Sequence, residues 1–273
     1  MYLLYNNDLL QEGEFRIPVT DRSFQYNDGF FETIMFVDGK IRFWQDHQDR
    51  MKAAADVLKL DLPESLFHAT TEEKLLKLAE SNSALSYGRL KLKIWRQGAG
   101  LYTPERNTAN WLTTVQPAAT PATYLEKVGI CASVRTYYSP FSGFKGAASM
   151  QYVMAGLEKK ERGFDDLIIL DRQNLVSEFT AANICWCQNN VVFTPSLETG
   201  CINGIMRRNI LKWCKAAGIR TREAFFEADS LLQADAVFSA NVTGIKVVKN
   251  LLGFDMKLEN DVVLLLQQKL LEV

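Results

Sequence analysis

Between Thr136 and Leu157 only one side chain carries a charge, and it is Lys145, in the stretch SPFSGFKGAASMQYVMAG. Small and apolar neighbours penalise an ammonium by desolvation, which brings the neutral amine within reach of neutral pH. A neutral amine is a nucleophile and condenses with a carbonyl to a Schiff base. The same side chain could equally snorkel to water or pair with a distant acid, and the local sequence leaves both open. Four further stretches hold residues of complementary chemistry. LVSEFTAANICW sets Glu178 in an otherwise uncharged strand end. CINGIMRRNILKW opens a helix at Gly204, Ile205 and Met206, where backbone N–H groups and the helix dipole suit a phosphate. SANVTGIKV gives Thr243 a place beside Gly244 in a turn. WQDHQDRMKAAAD puts Arg50 in the first turns of another helix, with a fork that matches phosphate.

A lysine nucleophile, a carboxylate and anion-binding elements are the parts needed to hold pyridoxal 5'-phosphate (PLP). Its pyridine nitrogen needs an acid beside it so that the protonated ring can accept electrons. Taken singly, each residue has a plainer reading: Glu178 as a surface acid, Arg50 as a helix-surface cation, Thr243 as a turn residue.

The elements that must position these groups are legible from periodicity. FETIMFVDGKIRFW reads as two strands joined at Asp38-Gly39, a hairpin signal. QDHQDRMKAAADVLKL places Met51, Ala54, Ala55 and Leu58 on one helical face. ESLFHATTEEKLLKLAESN is predicted as a second helix. YGRLKLKIWRQGAG alternates as a strand ending in a Gly-rich loop, and WLTTVQ and VGICASV read as further strands. A helix is predicted over ASMQYVMAGLEKKERG, ending at Gly163. DDLIILDRQNLVSEF and ANICWCQNNVVFTP read as hairpins, the latter turning at Asn189-Asn190. A helix ending near Gly218, two strands in AVFSANVTGIKVVKN and a closing helix in ENDVVLLLQQKLLEV complete the chain. Hairpins mixed with one-sided helices indicate an α+β fold. The uncharged, Pro-bearing Pro117–Thr123 is the expected interdomain linker, dividing an N-terminal domain (1–116) from a C-terminal domain (124–273).

Composition excludes several classes. Of 273 residues, 31 are Lys or Arg and 32 are Asp or Glu, so no basic excess points to nucleic acid. No apolar run approaches the roughly 18 to 20 residues that span a bilayer. MYLLYNNDLLQEGEF lacks a basic leader region, so a secretory signal is not expected. The 5 cysteines form no CxxC and read as small buried hydrophobes of a reducing cytoplasm. With 2 histidines in the chain, no metal centre is expected.

Together the ordered motifs resemble the fold-type IV PLP enzymes: branched-chain aminotransferases, D-amino acid aminotransferases and 4-amino-4-deoxychorismate lyases. DRSFQYNDGFFETI is similar to the family's first strand motif, HQDR (His47 to Arg50) to its HxxR, VSEFTAANICW to its glutamate segment, and GIMR and NVTG to its phosphate-binding elements. The resemblance implies that Lys145 carries the cofactor, that Glu178 meets the pyridine nitrogen, and that Arg50, Gly204, Ile205, Met206 and Thr243 hold the phosphate. It implies a small N-terminal α/β domain, a larger C-terminal domain with a barrel-like sheet, a cofactor between them, and a homodimer. Branched-chain enzymes of this group carry a tyrosine five residues after the lysine; here that residue is Met150, and Tyr152 is expected on another face of the helix. NGIMR, SANVTGIKVV, SEFTAANICW and the spacing from Lys145 to Glu178 look more like the lyases. The expected activity is therefore release of pyruvate from aminodeoxychorismate to give 4-aminobenzoate, a step of folate biosynthesis. A class IV aminotransferase acting on branched-chain or D-amino acids is the alternative, and a non-catalytic binding protein of the same fold the second. Tyr26, Tyr87 and Arg96 are the candidates for contacting a carboxylate-bearing amino substrate.

Overall fold

Asp38 and Gly39 both have positive φ, 48° and 77°, as a two-residue type I′ hairpin requires, and they join strand Gly29–Val37 to Lys40–Ile41. In the computed structural model, which describes residues 1–273, this hairpin belongs to the first of two units, Met1–Thr120 together with Phe144–Ala148. Its six-stranded sheet is antiparallel throughout, in the order Asp8–Gln11, Tyr2–Tyr5, Ala109–Pro117, Tyr87–Arg96, Gly29–Val37, Lys40–Ile41. The period-two rule sends Phe30, Ile34, Phe36, Leu90, Leu92 and Ile94 to one face. Helices Trp44–Leu58 and Ala69–Ser81 cover that face with Met51, Ala54, Ala55, Leu75, Leu78 and Ala79. Burying one such Leu or Ile side chain stabilises the unit by about 1.5–3 kcal/mol. Arg89, Lys91 and Lys93 fall on the opposite face.

The segment around Lys145 docks on the start of this sheet. The Phe31 N–H donates to the Lys145 carbonyl at 2.9 Å, and the Ala147 N–H donates to the Gly29 carbonyl at 2.9 Å. Phe144 enters the first unit's core, 5.9 Å from the ring of Phe30. The division expected from chain order put residue 145 with the C-terminal half, whereas the structure clusters it with the N-terminal strands. Pro117 closes strand Ala109–Pro117, and the units divide between Thr120 and Pro121. The second predicted helix is interrupted: a 3₁₀ turn over Glu64–Phe67 precedes Ala69–Ser81, because His68 takes an extended backbone.

The second unit holds Pro121–Gly143 and Ser149–Val273. Strands Asp166–Leu170, Val176–Phe179, Asn183–Gln188, Ala236–Asn241 and Gly244–Val248 are successive antiparallel neighbours. Val128–Ile130 and Tyr124–Leu125 add to this run in parallel, within a mixed sheet of eleven strands that curls as a half-barrel. Phe179, Trp186, Val237 and Leu251 fill its core. VGICASV ends as a strand at Ile130 because the Glu158 carboxylate takes the N–H groups of Ala132 and Ser133, each at 2.8 Å, in place of a strand partner. Burial alone would raise the Glu158 pKa, but these donors pull it down to about 2. Helices and mostly antiparallel strands are interleaved along the chain, a mixture of α and β built on hairpins rather than on a doubly wound parallel sheet.

Candidate functional site

In the first unit, Lys145 is half-buried and its Nζ lies 5.7 Å from the centre of the Phe31 ring. Lys91 Nζ lies 4.8 Å from the same ring. Lys93, directly across from Phe31 in the sheet, has its pKa lowered by burial and then by Lys91. Three amines therefore share the outward face at the start of strand Gly29–Val37. Lys91 and Lys93 were not among the sequence candidates. Their signal was the alternation in RLKLKIW, which sets the cations opposite to Leu90, Leu92 and Ile94.

Two sequence candidates sit elsewhere. Tyr87 pairs with Val37, six residues along the strand from Phe31; it shares the face of Lys91 and Lys93 but lies about 20 Å away at strand rise, and so does not join the group around Lys145. Arg96 is buried and spends its guanidinium inside the unit. Nε donates to Asp28, Nη1 to the Lys59 carbonyl and Asn107, and Nη2 to the Leu58 carbonyl. It is a structural clamp, not a cation presented to substrate. Tyr26 stays half-buried near the strand start, between the Arg22 guanidinium at 4.9 Å and the Tyr102 ring at 5.8 Å.

Arg50 is also fully buried. Its Nε donates to Glu32 Oε1 at 2.7 Å and its Nη2 to Oε2 at 2.5 Å. His47 Nδ1 lies 2.7 Å from Oε2, and a carboxylate only accepts, so that nitrogen carries the proton. Burial lowers the His47 pKa, so the ring is neutral and its Nε2 is left buried without a hydrogen-bond partner. Glu32 lies on the helix-facing side of its strand among Phe30, Ile34 and Phe36. Burial would raise its pKa, but Arg50 and His47 overcome that and hold it at about 2. The HQDR motif thus positions Arg50 through a buried acid that sequence reading left without a role.

In the second unit, Glu178 is buried on strand Val176–Phe179. The Tyr152 hydroxyl donates to its Oε1 at 2.7 Å and the Ile202 N–H to its Oε2 at 3.1 Å. Tyr152 therefore lies on another face of the helix than the exposed Met150, as expected, and that face meets Glu178, a contact the sequence did not indicate. Asn183, opposite Glu178 in the sheet, donates from Nδ2 to the Ile202 carbonyl at 2.7 Å. A Cβ on Gly204 would lie 2.0 Å from Asn183 Oδ1, so a larger residue there would have to displace the Asn183 side chain from its bond to the Ile202 carbonyl. Gly204 caps helix Ile205–Ala216, which has no side-chain cap and no acid in its first turn. Thr243 is held by Asn241, whose Oδ1 accepts from its N–H at 2.9 Å and its hydroxyl at 2.5 Å. Arg207 donates to the Pro195 carbonyl and to Glu223, and so braces the helix.

Residues 29–250 match the amino-transferase class IV family. The chain belongs to that family. It is 30% identical to an aminodeoxychorismate lyase of Vibrio harveyi over 87% of this chain and 90% of that protein. It is 27% identical to a D-alanine aminotransferase of Bacillus licheniformis over 89% of this chain and 85% of that one. A branched-chain aminotransferase from Thermoproteus uzoniensis superposes with a TM-score of 0.88 over 100% of this chain and 94% of that one, at 20% identity, and so shares the fold. This is a PLP-dependent enzyme with a fold-type IV architecture.

Proposed function

We propose that this enzyme is a 4-amino-4-deoxychorismate lyase that releases pyruvate and leaves 4-aminobenzoate. The residues fit the cofactor. Lys145 offers the amine for its aldehyde. Glu178, already met by two donors, suits its pyridine nitrogen. The uncapped, acid-free start of helix Ile205–Ala216, with Thr243 and Arg50, suits its phosphate. When bound, the cofactor supplies an electron sink for charge developing beside the substrate nitrogen.

The chain's own residues do the rest. The Lys145 amine would take the proton from the carbon that bears the substrate nitrogen. The bond to the enolpyruvyl oxygen then breaks, the ring becomes aromatic, and the proton returns to the departing pyruvate, so no co-reactant is needed. Charge carries the choice of reaction. Beside Lys145 the sheet presents Lys91 and Lys93, and this substrate bears two carboxylates where a simple amino acid bears one. The likeness to the Vibrio harveyi lyase supports the same reading. The test is pyruvate release from aminodeoxychorismate with no keto-acid acceptor, abolished in Lys145→Ala. That variant also loses the borohydride-trapped cofactor adduct at residue 145. Amino transfer from D-alanine or leucine to a keto acid, without pyruvate release from aminodeoxychorismate, would instead establish the aminotransferase reading, which the likeness to D-alanine aminotransferase favours.

A homodimer and a cytoplasmic setting complete the proposal. Met150, Val153, Met154 and Leu157 recur at helical spacing and are 71, 54, 42 and 56% exposed. A second copy of this chain is the occupant that fits, because residues 150–157 carry no charge and an antiparallel self-pairing crossing near Val153 and Met154 sets no like charges together. No helix is long and apolar enough to cross a membrane, and the five cysteines are free and buried, as suits a reducing compartment.

A further inference from the structure

We propose that Tyr152 is a positioning residue for the cofactor's acid: its hydroxyl fixes the orientation of the Glu178 carboxylate and moderates how strongly that carboxylate draws the proton of the pyridine nitrogen. This rests on the reading of Glu178 given above. The geometry is specific. Two donors reach Glu178 from different elements, Tyr152 from helix Met150–Glu161 onto Oε1 and the Ile202 N–H onto Oε2. A carboxylate held at both oxygens cannot rotate about its last bond. It keeps further lone pairs for a third donor, since two oxygens offer about four acceptor positions. The same Ile202 is fixed through its carbonyl by Asn183 and by the N–H of Gly204 at 2.9 Å. The acid and the helix start therefore form one network, to which Tyr152 contributes a hydroxyl.

Tyr152 is suited to donate and nothing else. Burial, then the charge of Glu178, raises its pKa, so the phenol keeps its proton. Cys201 is also set against Glu178, and its thiol is pushed up to about 12 by burial and then by Glu178, so it stays neutral. Removing the phenol hydroxyl strips one donor from the carboxylate. That makes the carboxylate a stronger base, and the proton shared with a ring nitrogen moves toward it.

The test uses holoenzyme loaded with PLP labelled with ¹⁵N in its ring. In Tyr152→Phe the ring-nitrogen resonance should move part of the way toward its position in Glu178→Gln, while kcat falls about tenfold and KM changes less than about twofold. Incorporation of fluorotyrosine at position 152, a stronger donor of nearly the same size, should move the resonance the opposite way, which covers the case in which Phe disturbs folding. A resonance unmoved by either change, with Glu178→Gln still moving it, overturns the role of Tyr152 and leaves Glu178 in place. A resonance unmoved in Glu178→Gln overturns the reading of Glu178 itself, and the role of Tyr152 with it.

Discussion

Glu32 is an acid in a hydrophobic face, and its neighbours decide its state. Desolvation favours the neutral form, but Arg50 and His47 win and hold the group at about 2 against an ordinary 4.5. A carboxylate with a depressed folded pKa contributes stability that is present above its unfolded pKa and lost as pH falls through the folded one. The shift corresponds to roughly 3 kcal/mol, lost between about pH 4.5 and pH 2. Glu32→Gln should therefore cost about 3–5 kcal/mol at neutral pH, because Arg50 loses its buried counter-charge. It should also flatten the acid limb of the stability profile. Denaturant unfolding at a series of pH values checks both; Glu158 titrates in the same window, so the difference between parent and variant is the quantity to read. An unaltered acid limb would show that Glu32 is not the group responsible. At this scale the sequence was readable where the local run sets the placement, as with Glu178 on its otherwise uncharged strand. It was not readable where the partner is distant: nothing near position 96 says that Asp28, Asn107 and two carbonyls of residues 58 and 59 consume that guanidinium. Nothing near Tyr152 points to an acid 26 residues away.

Turns and strands were the legible elements because their signals are local. Asp38-Gly39 and Asn189-Asn190 each read as a hairpin and each has positive φ at both positions. Asn6-Asn7 does the same between Tyr2–Tyr5 and Asp8–Gln11, and was masked by the short flanking runs. The early end of strand Val128–Ile130 was illegible because a side-chain carboxylate from helix Met150–Glu161 replaces its sheet partner. Gly29 shows an element position whose demand is steric. A Cβ there would lie 2.1 Å from the Ile94 carbonyl oxygen and 2.7 Å from the Trp95 Cα. Backbone atoms cannot yield as a flexible side chain can, and the carbonyl of this residue receives the Ala147 N–H. Gly29→Ala should cost about 1–3 kcal/mol of stability by overpacking. It should also loosen the Lys145 segment, so that less cofactor is trapped by borohydride than in the parent under conditions where the variant remains folded. A variant of parental stability and parental adduct yield would show that the strand end relaxes freely.

For the whole molecule, the contact-based division does not follow chain order. Five residues around Lys145 return to the first unit from within the second half of the sequence, and composition carries no mark of that return. Hydropathy does carry the feature on which the proposed dimer rests. The helix that presents Tyr152 inward on one side and buries Ala155 leaves Met150, Val153, Met154 and Leu157 outward on the other. Each apolar side chain of that size is worth about 1.5–3 kcal/mol when removed from water. A two-fold axis counts every one of them twice. Replacing Met154 and Leu157 together by glutamate removes that burial and sets like charges face to face across the axis. The double variant should weaken self-association by at least about a hundredfold. Light scattering behind size exclusion should then read one chain mass where the parent reads two. If both proteins elute at twice the chain mass, this helix lies outside the interface. If the parent itself elutes at one chain mass across the micromolar range, the enzyme does not pair through any surface at those concentrations.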